Sequence, residues 1–215
     1  PPLEGSPLRA DRRLAVYDAE DCPYCEKFEA DVLAGWKADV PFAKTRSQKA
    51  PTGWTLAGPL LGTPTIVLFQ QGKEVSRFTG YAGDARKFWQ WLGFHLLSPE
   101  QQRIAFESGT ELPGTGAHLY ESRPGTYFDP ISGAALFRSD AKFDSACGWP
   151  SFFDPMPGAL EFLQDDSHGM HRVEVRSTSS GIHLGHVFDD GPPPTGKRYC
   201  INGNVLKFLP DPPKA

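Results

Sequence analysis

Four cysteines occur among the 215 residues, and each stands where thiol chemistry is plausible. Cys22 and Cys25 form C-P-Y-C near the front, Cys147 lies in F-D-S-A-C-G-W-P-S-F, and Cys200 lies in K-R-Y-C-I-N. Two cysteines separated by two residues close a tight disulfide and exchange it with other thiols, and a helix N-terminus favours the thiolate of the first. Cys200 follows Lys197 and Arg198 and precedes Asn202. Cationic neighbours lower a thiol pKa, and the thiolate is the nucleophile. His183 and His186, in H-L-G-H-V-F-D-D-G-P-P-P-T-G, offer acid/base groups or two metal ligands, although a histidine pair taken alone is more often structural. Trp149 with Phe152 and Phe153 offers an apolar wall, although the two phenylalanines read as readily as core. C-x-x-C also supplies half of a zinc site, but no second ligand pair lies near it in the sequence. The distribution suggests a dithiol electron donor and a thiol enzyme joined in one chain.

Composition narrows the class. A formal net charge of -4, from 26 acidic and 22 basic side chains, lacks the basic excess of a nucleic-acid binder. Hydrophobic content of 39% with 22 Gly and 21 Pro describes a turn-rich soluble protein, and no apolar run approaches the ~20 residues of a spanning helix. Neither nucleic acid nor membrane insertion is expected. The first residue is proline rather than methionine, as removal of a leader would leave it, so a periplasmic or otherwise exported location is expected, with a cytoplasmic one as the alternative.

The elements that must position these groups are legible in outline. Residues 1–12 read as a tail. Leu14 to Tyr17 reads as a buried strand, followed at once by the cysteine motif, with Pro23 suited to a first helical turn and Phe28, Val32 and Trp36 at helical spacing. A strand over residues 40–43 follows, then a hairpin of residues 65–69 and 74–78 through Gln71-Gly72, and a helix through Phe88, Trp89, Trp91 and Leu92. Ser98-Pro99-Glu100-Gln101 is a capping box, and Gly109 is expected to end its helix. The order predicts an α/β domain over residues 13–97. Residues 98–215 read as a mainly antiparallel β domain, with strands at Tyr127-Phe128, at residues 135–137, 171–176 and 183–188, and at 205–209.

On these residues two resemblances rest. Residues 13–96 resemble a thioredoxin-fold domain, with C-P-Y-C as its active motif and Gly62-Thr63-Pro64-Thr65 as the loop that carries a cis-proline. The resemblance implies that Cys22 is the exposed attacking thiol and Cys25 the buried resolving one, with Pro64 packed beside them. Residues 98–209 closely resemble the methionine sulfoxide reductase B family, which reduces the R epimer of methionine sulfoxide, on a β domain curled into a small barrel. This implies Cys200 as nucleophile, Cys147 as recycling cysteine, and His183, His186 and Asn202 as the groups that handle the sulfoxide oxygen. It further implies Trp149, walled by Phe152, as the receiver of the substrate methyl and Arg198 as the group that polarises Cys200. The implied partners are oxidised methionine, in proteins or free, and an external thiol-disulfide reductase, with no cofactor. Many relatives bind a structural zinc with two C-x-x-C pairs. At those places stand Asp129, Ser132, Ser177 and Ser180, so no zinc is expected and turn hydrogen bonds should knit the loops. The rival readings are a general disulfide reductase working through the front half alone and a non-catalytic redox sensor.

Overall fold

A computed structural model describes residues 12–214. The expected tail lies outside the described residues except for Arg12, which opens the first strand. The chain divides into two compact units between Trp91 and Leu92. That point lies inside a helix, because the helix's last turns serve the second unit: Phe94 stacks on Phe106 at 4.6 Å between ring centroids.

The first unit is built on a sheet of order β2-β1-β3-β4. Its strands are β1 (Arg12–Tyr17), β2 (Phe42–Thr45), β3 (Thr65–Gln70) and β4 (Lys73–Thr79). β1 runs parallel to β2 and antiparallel to β3. A parallel pair needs a crossover, which is supplied by helix α1 (Pro23–Phe28) and the π-helical turn Glu29–Leu33. Alternation along β1 and β3 sends Ala15, Tyr17, Val67 and Phe69 to one buried face, where Trp54, Leu56 and Leu60 cover them. Helix α2 (Ala85–Leu96) carries Phe88 into an aromatic cluster with Phe28 and Trp89, each ring 5.1 Å from it. The hairpin turn falls at Gln71 and Gly72, both with positive φ, as a two-residue turn between twisted strands requires.

The second unit opens on helix α3 (Pro99–Glu107), whose reciprocal Ser98–Gln101 capping box is formed. The helix stops one residue earlier than expected. Ser108, not Gly109, takes the left-handed position with φ 52°, and its hydroxyl donates to Glu174 Oε1 at 3.4 Å. The remaining strands are β5 (Gly125–Phe128), β6 (Ala135–Arg138), β7 (Lys142–Phe143), β8 (Ser151–Phe152), β9 (Leu160–Asp165), β10 (Arg172–Ser177), β11 (His183–Phe188), β12 (Arg198–Ile201) and β13 (Lys207–Pro210). They form a six-stranded sheet of order β7-β8-β12-β11-β10-β9 and a three-stranded sheet of order β13-β5-β6. All their pairings are antiparallel.

One irregularity matters for the site. Val175 pairs with Gly185 but the next residue, Arg176, pairs with His183, so Leu184 is an extra residue on β11. A bulge of this kind re-aims side chains and frees a backbone group from the ladder. On its other side β11 keeps a regular register with β12, and there the Leu184 carbonyl accepts both the backbone N–H and the side-chain amide of Asn202, each at 2.9 Å.

The loops at which the resemblance places two C-x-x-C pairs in many members are clamped here by a carboxylate. Asp129 Oδ1 accepts from the backbone N–H groups of Ile131 and Ser132 at 2.8 and 3.0 Å. Its Oδ2 accepts from the hydroxyls of Ser177 at 2.6 Å and Ser180 at 2.5 Å, with Ser179 at 3.5 Å. Both oxygens are thus consumed, and hydroxyl groups are poor zinc ligands, so this donor set does not fit the ion. Ser179 was absent from the four sequence positions yet belongs to the knot. Removing the acceptor strands several buried donors, so Asp129→Ala should destabilise the protein by about 3 kcal/mol, read as a lower urea midpoint at unchanged m-value.

Candidate active site

Antiparallel register alone assembles most of the rear site. Glu174 of β10 faces His186 of β11, His186 faces Cys200 of β12, and Cys200 faces Ser151 of β8. Directly opposed residues share a face, so these four form one row across the sheet. Gly185 makes the close pairing possible, since a Cβ there would lie 2.0 Å from the Cys200 carbonyl oxygen. Phe152 follows Ser151 and therefore points to the other face. It is fully buried, stacked on Phe137 at 4.2 Å, and belongs to the core rather than to a substrate wall. Period-two alternation is the reason.

A cavity of about 110 Å³ opens on this row, lined by Thr110, Trp149, Arg172, Gly185, His186, Phe188, Cys200 and Asn202. Trp149 is held by its indole N–H, which donates to the Glu111 carbonyl at 3.1 Å. Asn202 accepts from the Glu111 N–H at 2.9 Å. The buried Glu111 carboxylate takes the backbone N–H groups of Gly203 and Asn204 at 2.7 and 3.0 Å. One buried residue thus ties the tryptophan, the asparagine and the turn after Cys200 together.

The two histidines have different surroundings. His186 donates from Nε2 to Asp165 Oδ2 at 2.6 Å, which leaves Nδ1 as its other ring nitrogen. Hydrogen bonds from Ser167 first, then from His186, hold the Asp165 carboxyl well below the usual range. His183 is 2% exposed and is not among the cavity-lining residues. Only the bulge brings it to the same face as His186, since residues three apart in a regular strand point oppositely. The rings approach to 5.6 Å. His183 Nδ1 donates to Glu174 Oε1 at 2.7 Å, and its Nε2 is buried without a partner. Burial lowers the His183 pKa against the opposing pull of Glu174. Burial also opposes ionisation of Glu174, yet Arg176 and His183 keep its pKa below the ordinary value.

The thiols overturn one expectation. Cys147 and Cys200 lie 3.7 Å apart, sulfur to sulfur, yet Cys200 is not the acidic member. Burial, and then the neighbouring Cys147, push its pKa up to about 12, with Arg198 only partly countering. Arg198 is turned toward Asp190, donating at 2.9 and 3.1 Å, and lies over the Phe188 ring at 4.4 Å. Lys197 pairs with Asp189. Burial raises Cys147 too, but hydrogen bonds from Ser145 and Ser151 outweigh it and bring the thiol down to about 7.

In the front unit Cys22 and Cys25 are joined as a disulfide. Cys22 caps helix α1, its sulfur accepting from the Cys25 N–H at 3.2 Å. The expected exposure is reversed: Cys22 is 9% exposed, whereas Cys25 is half-buried. The sulfur of Cys22 is covered by Thr63, whose Oγ1 lies 3.5 Å away, and the Thr63–Pro64 bond is cis. An apolar cavity of about 460 Å³ runs beside it, lined by Tyr24, Thr63, Phe78, Tyr81 and Lys87 among others.

A SelR domain matches residues 97–210 and a thioredoxin-like domain matches residues 7–96. The chain belongs to the SelR family. It is 52% identical over 115 residues to the peptide methionine sulfoxide reductase MsrB of Agrobacterium fabrum, across 53% of this chain and 85% of that protein. The MsrB of Leptospira interrogans is 51% identical over 113 residues, across 52% and 86%. The mouse mitochondrial methionine-R-sulfoxide reductase B3 is 50% identical over 115 residues, across 53% of this chain and 46% of its own length. A crystal structure of the reduced periplasmic thioredoxin SoxS from Paracoccus pantotrophus is 30% identical, covering 39% of this chain and 93% of that one with a TM-score of 0.34. Register assembles the row of Glu174, His186, Cys200 and Ser151. Of its members, Glu174 and Ser151 escaped the sequence reading, as did Glu111 and Asp165. The only signal for Glu174 was a carboxylate inside the alternating run R-V-E-V-R.

A histidine kept neutral by burial binds fewer protons folded than unfolded, so its folded pKa lies below 6.5 and stability is lost as pH falls through that window. Unfolding free energy should therefore drop from about pH 7.5 to about pH 5.5. In His183→Gln that slope should flatten, whatever the variant's baseline stability. Urea titrations at both pH values check it.

Proposed function

We propose that the protein reduces the R epimer of methionine sulfoxide, in proteins or free, and that its front dithiol regenerates the rear thiols. The observation that carries this reading is the pair of free thiols 3.7 Å apart, one of them lining a cavity walled by Trp149 and Phe188, in a SelR domain. An apolar wall suits the methyl group and a polar opposite side suits the sulfoxide oxygen.

The reaction balances with the thiol: sulfoxide plus Cys200 thiol gives thioether plus Cys200 sulfenic acid. The Cys200 sulfur attacks the sulfoxide sulfur, and the proton that Cys200 loses ends with the transferred oxygen. We assign that proton's carriage to His186, which faces Cys200 across the strand pair and whose ring is oriented by Asp165. Asn202 and Trp149, both braced by Glu111, orient the substrate. Cys147 then displaces hydroxide from the sulfenic sulfur and closes a disulfide. Exchange with the reduced Cys22/Cys25 pair reopens it and leaves the front disulfide for an external thiol-disulfide reductase. Burial of Cys22 beneath Thr63 supports a selective exchange partner rather than indiscriminate thiol access.

With a chemical dithiol as reductant, turnover should be confined to the R epimer, and Cys200→Ser should release no methionine in a single turnover. With only a protein reductase supplied, Cys22→Ser should stop turnover. Equal turnover of both epimers, or methionine release by the Cys200 variant, would overturn the assignment.

A further inference from the structure

The loop carrying Cys147 is built more elaborately than a simple resolving thiol needs. Asp144 Oδ1 accepts from the Ala146 N–H at 2.9 Å, and Ala146 and Gly148 follow with φ of 55° and 92°. This turn folds Cys147 back over β8 and β12. Ser145 Oγ then donates to the Cys147 sulfur at 2.9 Å. Ser145 and Ser151 hydroxyl oxygens lie 2.7 Å apart, and Ser151 Oγ is also 3.5 Å from that sulfur. Ser145 spends its single proton on sulfur, so its contact to Ser151, shorter than that of Ser151 to its other acceptor, the Trp149 carbonyl at 3.2 Å, is made with Ser151 as donor. Two hydroxyls therefore point in series at one sulfur, and each bond polarises the next. The contacts that would suit a protonated thiol, to the Trp149 carbonyl at 3.5 Å and to Cys200 at 3.7 Å, are longer. Ser151 is 1% exposed and is fixed by the same register that places Cys200, so its oxygen is held beside Ser145. Cys200 has no such hydroxyl donors.

We propose that Ser145 and Ser151 are positioning residues that hold Cys147 as the thiolate that attacks Cys200 in the disulfide-forming step. The inference rests on the reductase reading only for the source of the sulfenic acid. In the step, the Cys147 sulfur forms a bond to the Cys200 sulfur while the sulfur–oxygen bond of the sulfenic acid breaks. Hydroxide leaves and takes up a proton as water, Cys147 is oxidised and the sulfenic sulfur reduced, and no further reagent is needed. A poised Cys147 shortens the life of the sulfenic acid and so limits its passage to the irreversible sulfinic acid. It also divides labour in the pair, with the buried Cys200 kept protonated until substrate arrives and Cys147 ready beforehand.

The test uses the full chain with Cys22 and Cys25 changed to serine, so that the front dithiol does not interfere. Rapid-quench alkylation counts Cys147–Cys200 disulfide formed per methionine released from the R-sulfoxide. From a midpoint of about 7, losing one donor lowers the thiolate fraction at neutral pH about fivefold, but the more basic thiolate is a better nucleophile by about threefold. Net slowing at neutral pH should be about twofold for Ser145→Ala and about fivefold for Ser145→Ala with Ser151→Ala. The deficit should shrink as pH rises above the thiol's shifted titration, and Ser145→Thr should restore the parent rate. A second readout needs no turnover: with Cys200 also changed to serine, the pH midpoint of Cys147 alkylation by iodoacetamide should rise by about one unit in Ser145→Ala. Unchanged closure rates and unchanged alkylation midpoints would overturn the proposal. If the parent releases no methionine, the reductase reading fails, and the alkylation midpoints alone decide the role of the serines.

Discussion

The pairing of β12 between β8 and β11 is the constraint from which the rear site follows. Cross-strand neighbours on one face come within side-chain reach without any loop having to reach them, and this register lines up Glu174, His186, Cys200 and Ser151. A slip of one residue would send all of Cys200's present neighbours to the opposite face. The bulge at Leu184 is the one departure, and it rotates His183 onto the face of His186.

Buried carboxylates supply the second layer of order. Glu111, Asp129 and Glu174 are each less than a tenth exposed, and each accepts from at least one donor more than forty residues away in sequence. A buried charge is tolerated only when paired or fully hydrogen-bonded, so each of these groups compels its partners to a single arrangement. Asp129 does this by joining the loop after β5 to the turn between β10 and β11 through several directional hydrogen bonds.

The four cysteines meet three different environments. Cys22 gains from a helix N-terminus and the Cys25 N–H, Cys147 from the Ser145 hydroxyl with Ser151 behind it, and Cys200 is raised by burial beside Cys147. Cationic neighbours in sequence had pointed to the opposite order for the rear pair. Arg198 and Lys197 fail to impose it because each has an aspartate of its own, Asp190 and Asp189, and their charge is largely spent there.

What the sequence by itself determined was the local and the conspicuous. The α/β and antiparallel β classes, the capping box at Ser98, the hairpin through Gln71-Gly72 and the cysteine, tryptophan and histidine motifs all depend on residue type and short spacing, which periodicity and turn chemistry register directly. β7, β8, β9 and β12 were missed, since a half-exposed strand and strands of two to four residues lack a periodic signature. Partnerships over long separations were decided only by the tertiary structure. Glu111 with Asn202, Asp165 with His186, and Ser179 in the Asp129 knot are joined by register and burial, not by spacing. The same holds for thiol acidity and for which of Cys22 and Cys25 is covered, because both depend on the dielectric and the donors that surround a sulfur. Those surroundings come from distant parts of the chain and exist only once the sheet has closed over them.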